Sequence, residues 1–342
     1  MQKILVTGGA GYIGAHTVVE LQAAGYQPII IDDFSKSDQT LLDGIEKITG
    51  VNNSFYEGNC CDQDFLRSVF KKEQGIAGVM HFAAYKSVGE SVEQPLLYYR
   101  NNLDSLLSLM EVMGEFEVTS LIFSSSCTVY GEPDHIPVDE NATFKKAESP
   151  YGATKQMCER ILEDTTAADK KLKTISLRYF NPIGAHPSAL IGELPIDRPN
   201  NLVPFITQTA AGVREKLTIF GNDYDTPDGT CIRDFIHVLD LAKAHVHALK
   251  AILSQEKSLG YQFYNLGTGE GVSVLQLVKE FIDVTGVRLN YEFGPRRSGD
   301  VVKTYANSTK AQKELGWKAV YSTKDALVHA WAWEKRLRNI TT

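Results

Sequence analysis

Short apolar runs alternate with longer amphipathic stretches along the first half of the chain. KILVT, QPIIID, SFYEG, GVMHF, SLIFSSS and TISLRYF are rich in β-branched residues and read as strands. Between them lie helix-like stretches at Tyr12 to Ala24, Asp62 to Lys72, Gln94 to Met113 and Pro150 to Ala168, while only a polar segment follows QPIIID. Apolar runs of this kind belong to strands covered on both faces, and their alternation with helices implies a parallel, doubly wound sheet. The expected fold class is α/β, a Rossmann-type sheet carrying a smaller mixed α/β C-terminal lobe.

Beyond Asn181 the pattern loosens. Pro182, Pro187, Pro195, Pro199 and Pro204 break any regular element, so this stretch is either a linker or a binding loop. Order returns in KLTIF, Leu239 to Ile252, FYNLG, Val274 to Val284 and Asp325 to Arg338. A chain of 342 residues exceeds the usual single-core size. The expected division is therefore 1–181, joined by a returning segment near 237–267, and a second lobe over 182–342. The final helix, with Trp331 and Trp333, is expected to pack against the body of the protein, and no internal repeat is present.

Composition narrows the ligand classes. The hydrophobic fraction of 43% and charged fraction of 23% are those of an ordinary soluble protein. A net charge of −7 repels nucleic acid and anionic membrane, so an anionic ligand must meet a local cluster of basic groups. The five cysteines, Cys60, Cys61, Cys127, Cys158 and Cys231, are odd in number and lack C-x-x-C spacing, which points to reduced thiols rather than disulfides or zinc. Met1 leads straight into KILVTG, and no apolar run approaches the roughly 18 residues of a membrane span. A cytoplasmic location is the expectation.

Gly8-Gly9-Ala10-Gly11-Tyr12-Ile13-Gly14 satisfies G-x-x-G-x-x-G and, from Gly9, G-x-G-x-x-G, between a strand and a helix. Glycines in that context let the backbone approach a pyrophosphate whose charge rests on the helix N-terminus. Asp32 ends the second strand 18 residues after Gly14. A carboxylate there accepts hydrogen bonds from ribose hydroxyls and repels a 2′-phosphate, which selects NAD over NADP.

Tyr151 and Lys155 stand at i and i+4 in Y-G-A-T-K, on one face of a helix introduced by Ser149-Pro150. A phenol of ordinary pKa near 10 needs about 4 kcal/mol of preferential phenolate stabilisation to ionise at neutral pH. Lys155 and a positively charged nicotinamide ring are the available sources. Ser124, Ser125 and Ser126 end SLIFSSS at the strand edge where α/β sheets bind ligands, and Ser126 is placed to share a hydroxyl with Tyr151.

A serine-ended strand, Y-x-x-x-K and an N-terminal dinucleotide motif together resemble the extended short-chain dehydrogenase/reductases. Within them VTGGAGYIGAH, HFAAYKSVGES, SSSCTVYGEP, SPYGATK, LRYFNPIGAHPS, NNLVPFI, IFGNDYDTPDGTCIRDFIHV, YNLGTGEG and RRSGD are similar to the UDP-hexose 4-epimerases nearly from end to end. The resemblance implies a homodimer, tightly held NAD, and interconversion of UDP-galactose and UDP-glucose through a 4-keto sugar. It implies Tyr151 as base and acid, Lys155 as its electrostatic partner and ribose ligand, and Ser126 as a second hydroxyl contact. Gly8, Gly11, Tyr12, Ile13, Gly14, Asp32, Asn59, Phe82, Lys86, Asn101 and Phe180, with Tyr151 and Lys155, match cofactor positions. Asn181, Asn201, Phe220, Arg233, Arg297, Asp300 and Thr304, with Ser126 and Tyr151, match UDP-sugar positions. Both arginines suit a diphosphate as planar, permanently charged donors. Thr304 corresponds to a position where a tyrosine closes the hexose pocket and a small residue opens it to a 2-acetamido group.

Three positions depart from the resemblance: Asn59 where an acid is frequent, Ala84 where glycine is usual, and NNLDSLL in place of N-x-x-G-T. All three lie around the cofactor and none at the reacting carbon. Related 4,6-dehydratases carry a threonine, aspartate and glutamate where this chain has Ser126, Cys127 and Thr128, so elimination lacks its carboxyl acid and base. Uronate 4-epimerases and decarboxylases stay open, because a carboxylate pocket is not visible in sequence. A non-catalytic NAD-binding regulator has no need of Tyr151, Lys155 and Ser126 together. His81, His237, His245 and His247 have no carboxylate or cysteine at ligand spacing, so no metal is expected.

Overall fold

A computed structural model describes residues 1–340 apart from 197, 255–259 and 298–299. Its first half runs β1 (Lys3–Thr7), α1 (Tyr12–Ala23), β2 (Gln27–Asp32), α2 (Gln39–Thr49), β3 (Ser54–Glu57), α3 (Gln63–Lys72), β4 (Ile76–His81), α4 (Val88–Glu93), α5 (Pro95–Glu115), β5 (Ser120–Ser126), α6 (Pro150–Ala168) and β6 (Lys173–Tyr179). The second half runs β7 (Asn181–Ile183), α7 (Leu202–Ala210), β8 (Leu217–Phe220), β9 (Ile232–Arg233), β10 (Phe235–His237), α8 (Val238–Leu253), β11 (Tyr261–Leu266), β12 (Val272–Ser273), α9 (Val274–Thr285), β13 (Tyr291–Gly294), β14 (Lys303–Thr304), α10 (Thr309–Leu315) and α11 (Thr323–Leu337).

Seven strands form one parallel sheet in the order β11-β6-β5-β4-β1-β2-β3, the doubly wound arrangement the apolar runs predict. Ile4, Val6, Ile122 and Leu177 point into one apolar layer, and Leu5, Ile29, Leu121 and Phe123 into the other, so both faces are covered. The strand order turns outward on either side of β1 and β4, which opens a crevice at their carboxyl ends.

The polar segment after β2 contains a helix that the hydrophobic pattern misses. Leu41, Gly44 and Ile45 of α2 are buried and Leu42 and Ile48 pack beside them, so the apolar positions do follow the helical period, but they are few and set among polar residues. Its ends are locally encoded, however: the Asp38 side chain accepts from the Thr40 N–H, and Gly50 takes the left-handed conformation at φ 70°.

After β7 the chain builds a second layer of short elements: a mixed three-stranded sheet β12-β9-β14, the parallel pair β13-β8, and helices α7, α9 and α11 around Ile206, Leu277, Phe281 and Leu327. Between these elements the chain returns to the main sheet, where α8 lies against α1 and β11 pairs with β6. Trp331 and Trp333 are buried on the body side of α11. No helix among the described residues is long and apolar enough to cross a membrane.

Candidate active site

The cofactor-matching residues gather along the carboxyl edge of the sheet. Gly8 follows β1, Asp32 ends β2, Asn59 follows β3, Phe82 follows β4, Ser126 ends β5 and Phe180 follows β6. The glycine turn has no room for side chains. A Cβ on Gly14 would stand 2.2 Å from the Gly8 carbonyl oxygen, and Gly8 sits at φ 70° with a Cβ position 2.8 Å from the Ala83 nitrogen. This cradle closes against α1, whose Gly11 cap has no side-chain partner, so the first helical N–H groups face the crevice.

Asp32 ties this turn to the second strand. Its Oδ2 accepts from the Ala10 N–H at 3.0 Å, and its Oδ1 accepts from the Phe34 N–H at 3.1 Å and the Ser37 hydroxyl at 2.6 Å. Burial pushes the carboxyl up, against the lowering effect of these donors. Oδ2, with a single donor, keeps lone-pair capacity for a ribose hydroxyl. Glycine cradle, free helix terminus and a carboxylate with spare acceptor capacity fit a dinucleotide.

The departures from the resemblance resolve locally. Asn59 donates through Nδ2 to Asp33 Oδ2 at 3.1 Å and accepts the Cys61 N–H at 2.8 Å, so its amide is held within the turn. Ala84 is not among the positions with positive φ, so its methyl group introduces no strain. Asn101 donates to Asn102 at 3.1 Å. Asn102 in turn bonds the Tyr85 backbone at 2.9 and 3.0 Å and Thr154 at 3.1 Å, which fastens α5 to α6 where N-x-x-G-T is absent.

Ser126, Tyr151 and Lys155 converge at the ends of β5 and α6. Ser149 caps α6 by accepting from the Gly152 N–H at 3.2 Å, and Pro150 opens it, which aims Tyr151 and Lys155 inward. The Lys155 ammonium donates to the Ser124 carbonyl at 2.7 Å and lies 5.9 Å from the centre of the Tyr151 ring. Burial pushes the Tyr151 hydroxyl up to about 12, with the Ser126 hydroxyl pulling it down. Burial likewise brings the Lys155 ammonium down to about 8, opposed by Cys158 and Glu159. The ammonium is turned towards the Ser124 carbonyl, so it does not by itself make the phenol acidic. Cys127, beside Ser126, is a half-buried thiol pushed up to about 12 by desolvation.

Arg233, Arg297, Asp300 and Thr304 come together in the second layer. Asp300 Oδ1 lies 2.7 Å from Arg297 and 3.6 Å from Arg233, so one carboxylate holds both guanidinium groups at one mouth of the crevice. Thr304 pairs with Arg233 across β14 and β9. Tyr305 lies with its ring against Gly271, where a Cβ would come within 2.9 Å of it, and alternation along the strand leaves Thr304 on the other side. Asn181 heads β7 and Asn201 caps α7, while Phe220 ends β8 half-exposed beneath Arg297, 6.0 Å from ring centre to guanidinium.

Glu193 was not singled out from the sequence. It accepts from Asn201 at 2.5 Å and pairs with Lys86, 107 residues earlier, at 3.4 Å, joining a cofactor-matching position to a substrate-matching one. Asp234, fully buried, accepts the N–H groups of Thr268, Gly269 and Ala306 and so knots three loops behind Arg233. Glu193 sits in no recognisable spacing, and Asp234, although inside IFGNDYDTPDGTCIRDFIHV, shows its role only through long-range contacts.

A Rossmann-type sheet with a glycine cradle and a Ser-Tyr-Lys cluster at its carboxyl edge defines an NAD-dependent enzyme of the short-chain type. Residues 4–267 match the NAD dependent epimerase/dehydratase family, and the chain belongs to that family. It is 48% identical over 332 residues to a UDP-glucose 4-epimerase from Dictyostelium discoideum, covering 97% of this chain and 95% of the relative. A UDP-glucose 4-epimerase from Bacillus subtilis (strain 168) is also 48% identical, over 97% of this chain and 96% of its own. The crystal structure of UDP-glucose 4-epimerase from Bifidobacterium longum in complex with NAD+ and UDP superposes with a TM-score of 0.94 at 43% identity, covering 99% of both chains.

Proposed function

We infer that this chain is an NAD-dependent isomerase that interconverts UDP-galactose and UDP-glucose at C4 through a 4-keto sugar. The observation that carries the reading is the placement of Ser126, Tyr151 and Lys155 at the carboxyl edge of the sheet beside the glycine cradle. Bound NAD would supply reversible hydride exchange at C4 of the sugar, with no net redox change over the cycle. Tyr151 takes the 4-hydroxyl proton and gives it back, Ser126 holds the same hydroxyl, and Lys155 stabilises the phenolate. Gly8, Gly11, Tyr12, Ile13, Gly14, Asp32, Phe82, Lys86, Asn101 and Phe180 hold the cofactor, with Asn59 supporting the turn beside it. Turnover of UDP-galactose, coupled to UDP-glucose dehydrogenase, tests the reading; a folded, NAD-loaded protein with no turnover overturns it.

Arg233 and Arg297 clamp the UDP diphosphate, since a chain of net charge −7 offers an anion little other attraction. Asp300 aligns the two guanidinium groups, and Asn181, Asn201 and Phe220 complete the nucleotide site. Replacing either arginine by alanine is expected to raise KM for UDP-galactose at least about tenfold, the loss of a single charge-assisted contact of roughly 1.5 kcal/mol or more. An unchanged KM in both variants places the diphosphate elsewhere.

Thr304 leaves the hexose pocket open. Support comes from its register with Arg233 and from Tyr305, whose ring is occupied against Gly271. UDP-N-acetylglucosamine and UDP-N-acetylgalactosamine are therefore expected as substrates, and Thr304→Tyr is expected to abolish that activity while sparing UDP-galactose. Comparing kcat/KM for both sugar pairs in both proteins decides it, and an absence of N-acetyl activity in the wild type refutes an open pocket.

The assembly is a homodimer in this reading. Val92, Leu96, Leu97, Leu107 and Met157 expose apolar surface on the neighbouring helices α4, α5 and α6, and a second copy buries it symmetrically. A sedimentation mass of 37.9 kDa rather than twice that contradicts it. Residues 1–181 with the returning segment near 237–267 form the cofactor lobe, and the remainder of 182–342 forms the sugar-nucleotide lobe. The five free cysteines suit a reducing, cytoplasmic compartment.

A further inference from the structure

Beneath the Ser-Tyr-Lys cluster lies an ion pair that the reaction itself does not use. Glu159 and Arg178 have side chains only 3% exposed. Arg178 donates through Nε to both carboxylate oxygens of Glu159, at 2.9 and 3.1 Å, and also through one terminal nitrogen. Its guanidinium is packed by the rings of Phe263, Phe144 and Tyr130 at 4.1, 4.7 and 5.1 Å. It also donates to the Tyr130 hydroxyl at 2.9 Å, and Tyr261 donates to Glu159 at 3.0 Å.

A buried ion pair loses its hydration and is weak evidence for stability alone, so its place in the fold needs another explanation. Glu159 sits one helical turn beyond Lys155 on α6. Its Oε1 also accepts from the hydroxyl of Ser125, the residue between Ser124 and Ser126. Ser125 and Arg178 are direct neighbours across β5 and β6. One carboxylate thus ties α6 to the end of β5, with the Lys155 contact to Ser124 on one side of the tie and the Tyr151 contact to Ser126 on the other.

We propose that Glu159, held by Arg178, is a positioning residue for the epimerisation: it locks the strand end Ser124–Ser126 against α6, so that Ser126, Tyr151 and Lys155 meet in one register. This rests on the function assigned above. Glu159 is also a carboxylate whose charge supports the Lys155 ammonium, whose other charged or titratable neighbours are Tyr151 and Cys158 on α6 and His81 on β4, with Arg178 on β6 behind the carboxylate. Removing the negative charge withdraws support from the ammonium.

The test uses the full-length, NAD-loaded protein as wild type, Glu159→Gln, and Glu159→Gln combined with Arg178→Met, the last removing the unpaired buried guanidinium. Three readouts are compared: kcat and KM for UDP-galactose, the alkaline limb of the kcat profile, and the titration of the Lys155 amine by NMR. In Glu159→Gln, kcat is expected to fall at least about tenfold, in line with the sensitivity of catalysis to misplacement by an ångström. KM should stay within about twofold, and both the alkaline limb and the Lys155 titration should move to lower pH. The double variant should recover thermal stability while keeping these kinetic and titration changes. A folded Glu159→Gln protein with wild-type kcat and Lys155 titration overturns the proposal, as does a double variant in which kcat returns together with stability. An inactive wild type whose Lys155 titration still moves in Glu159→Gln overturns the assigned reaction and leaves the positioning intact.

Discussion

Replacing Tyr151 by phenylalanine is expected to lower kcat for UDP-galactose at least about a hundredfold, the usual lower bound for removing a proton-transfer group, with little change in KM. The tyrosine hydroxyl is buried beside Ser126, and the ring that remains still fills the space above Lys155. What is lost is the phenol proposed to take the 4-hydroxyl proton. Its hydroxyl, pushed up to about 12 by burial, lies about five units above neutral pH, so forming the phenolate requires roughly 7 kcal/mol of stabilisation. That exceeds what an ammonium engaged with the Ser124 carbonyl supplies, and the positive charge of the bound cofactor is the natural remainder. The rate should therefore rise with pH along its acid limb in the wild type and lose that limb in Tyr151→Phe. Turnover near the wild-type rate in the variant removes Tyr151 from the mechanism.

Stability should fall steeply below about pH 6.5, the ordinary pKa of histidine in the unfolded chain. Burial brings His16, His81 and His237 down to about 3 and His245 to about 4. The Nε2 atoms of His16 and His245 are buried without a hydrogen-bond partner, so a proton placed there has no acceptor. Above pH 6.5 these side chains are neutral in both states and contribute no pH dependence. Below it the unfolded chain binds protons that the folded chain refuses, and each histidine removes about 1.4 kcal/mol per pH unit until its folded pKa is reached. Four together remove roughly 5 kcal/mol per unit, comparable with the lower end of whole-domain stabilities. Asp32, Asp234 and Asp240, raised by burial, act in the opposite sense, but only once the pH reaches the carboxylate range. Urea midpoints at pH 7.5, 6.5 and 5.5 should show a plateau followed by a sharp decline. His245→Leu should make the decline shallower by about one proton, whereas a midpoint independent of pH down to 5.5 contradicts the assignment.

Much of this protein is legible in its sequence because the relevant chemistry is local. A strand, a glycine turn and a helix N-terminus are consecutive, so the dinucleotide cradle at Gly8 to Gly14 is written in seven residues. Tyr151 and Lys155 share a helix face by the 3.6-residue period, and SLIFSSS ends at the edge where ligands sit. Those motifs point to the cofactor class, the alternation of apolar runs and helices to the parallel sheet, and the resemblance to the UDP-hexose 4-epimerases to the reaction class. Other features depend on contacts between distant segments. Helix α2 escaped because its periodic apolar positions, Leu41, Ile45 and Ile48, are few and set among polar residues. Glu193 joins Lys86 to Asn201, and Glu159 meets Ser125 and Arg178, through side chains 8 to 107 residues apart. The raised Tyr151 phenol and the depressed buried histidines likewise follow from burial, which is a property of the assembled fold. The sequence by itself determined which groups are candidates for the chemistry, since residue type and local spacing suffice to single them out. Only the tertiary structure decided how they are held and charged, because alignment and desolvation arise when elements far apart along the chain pack together.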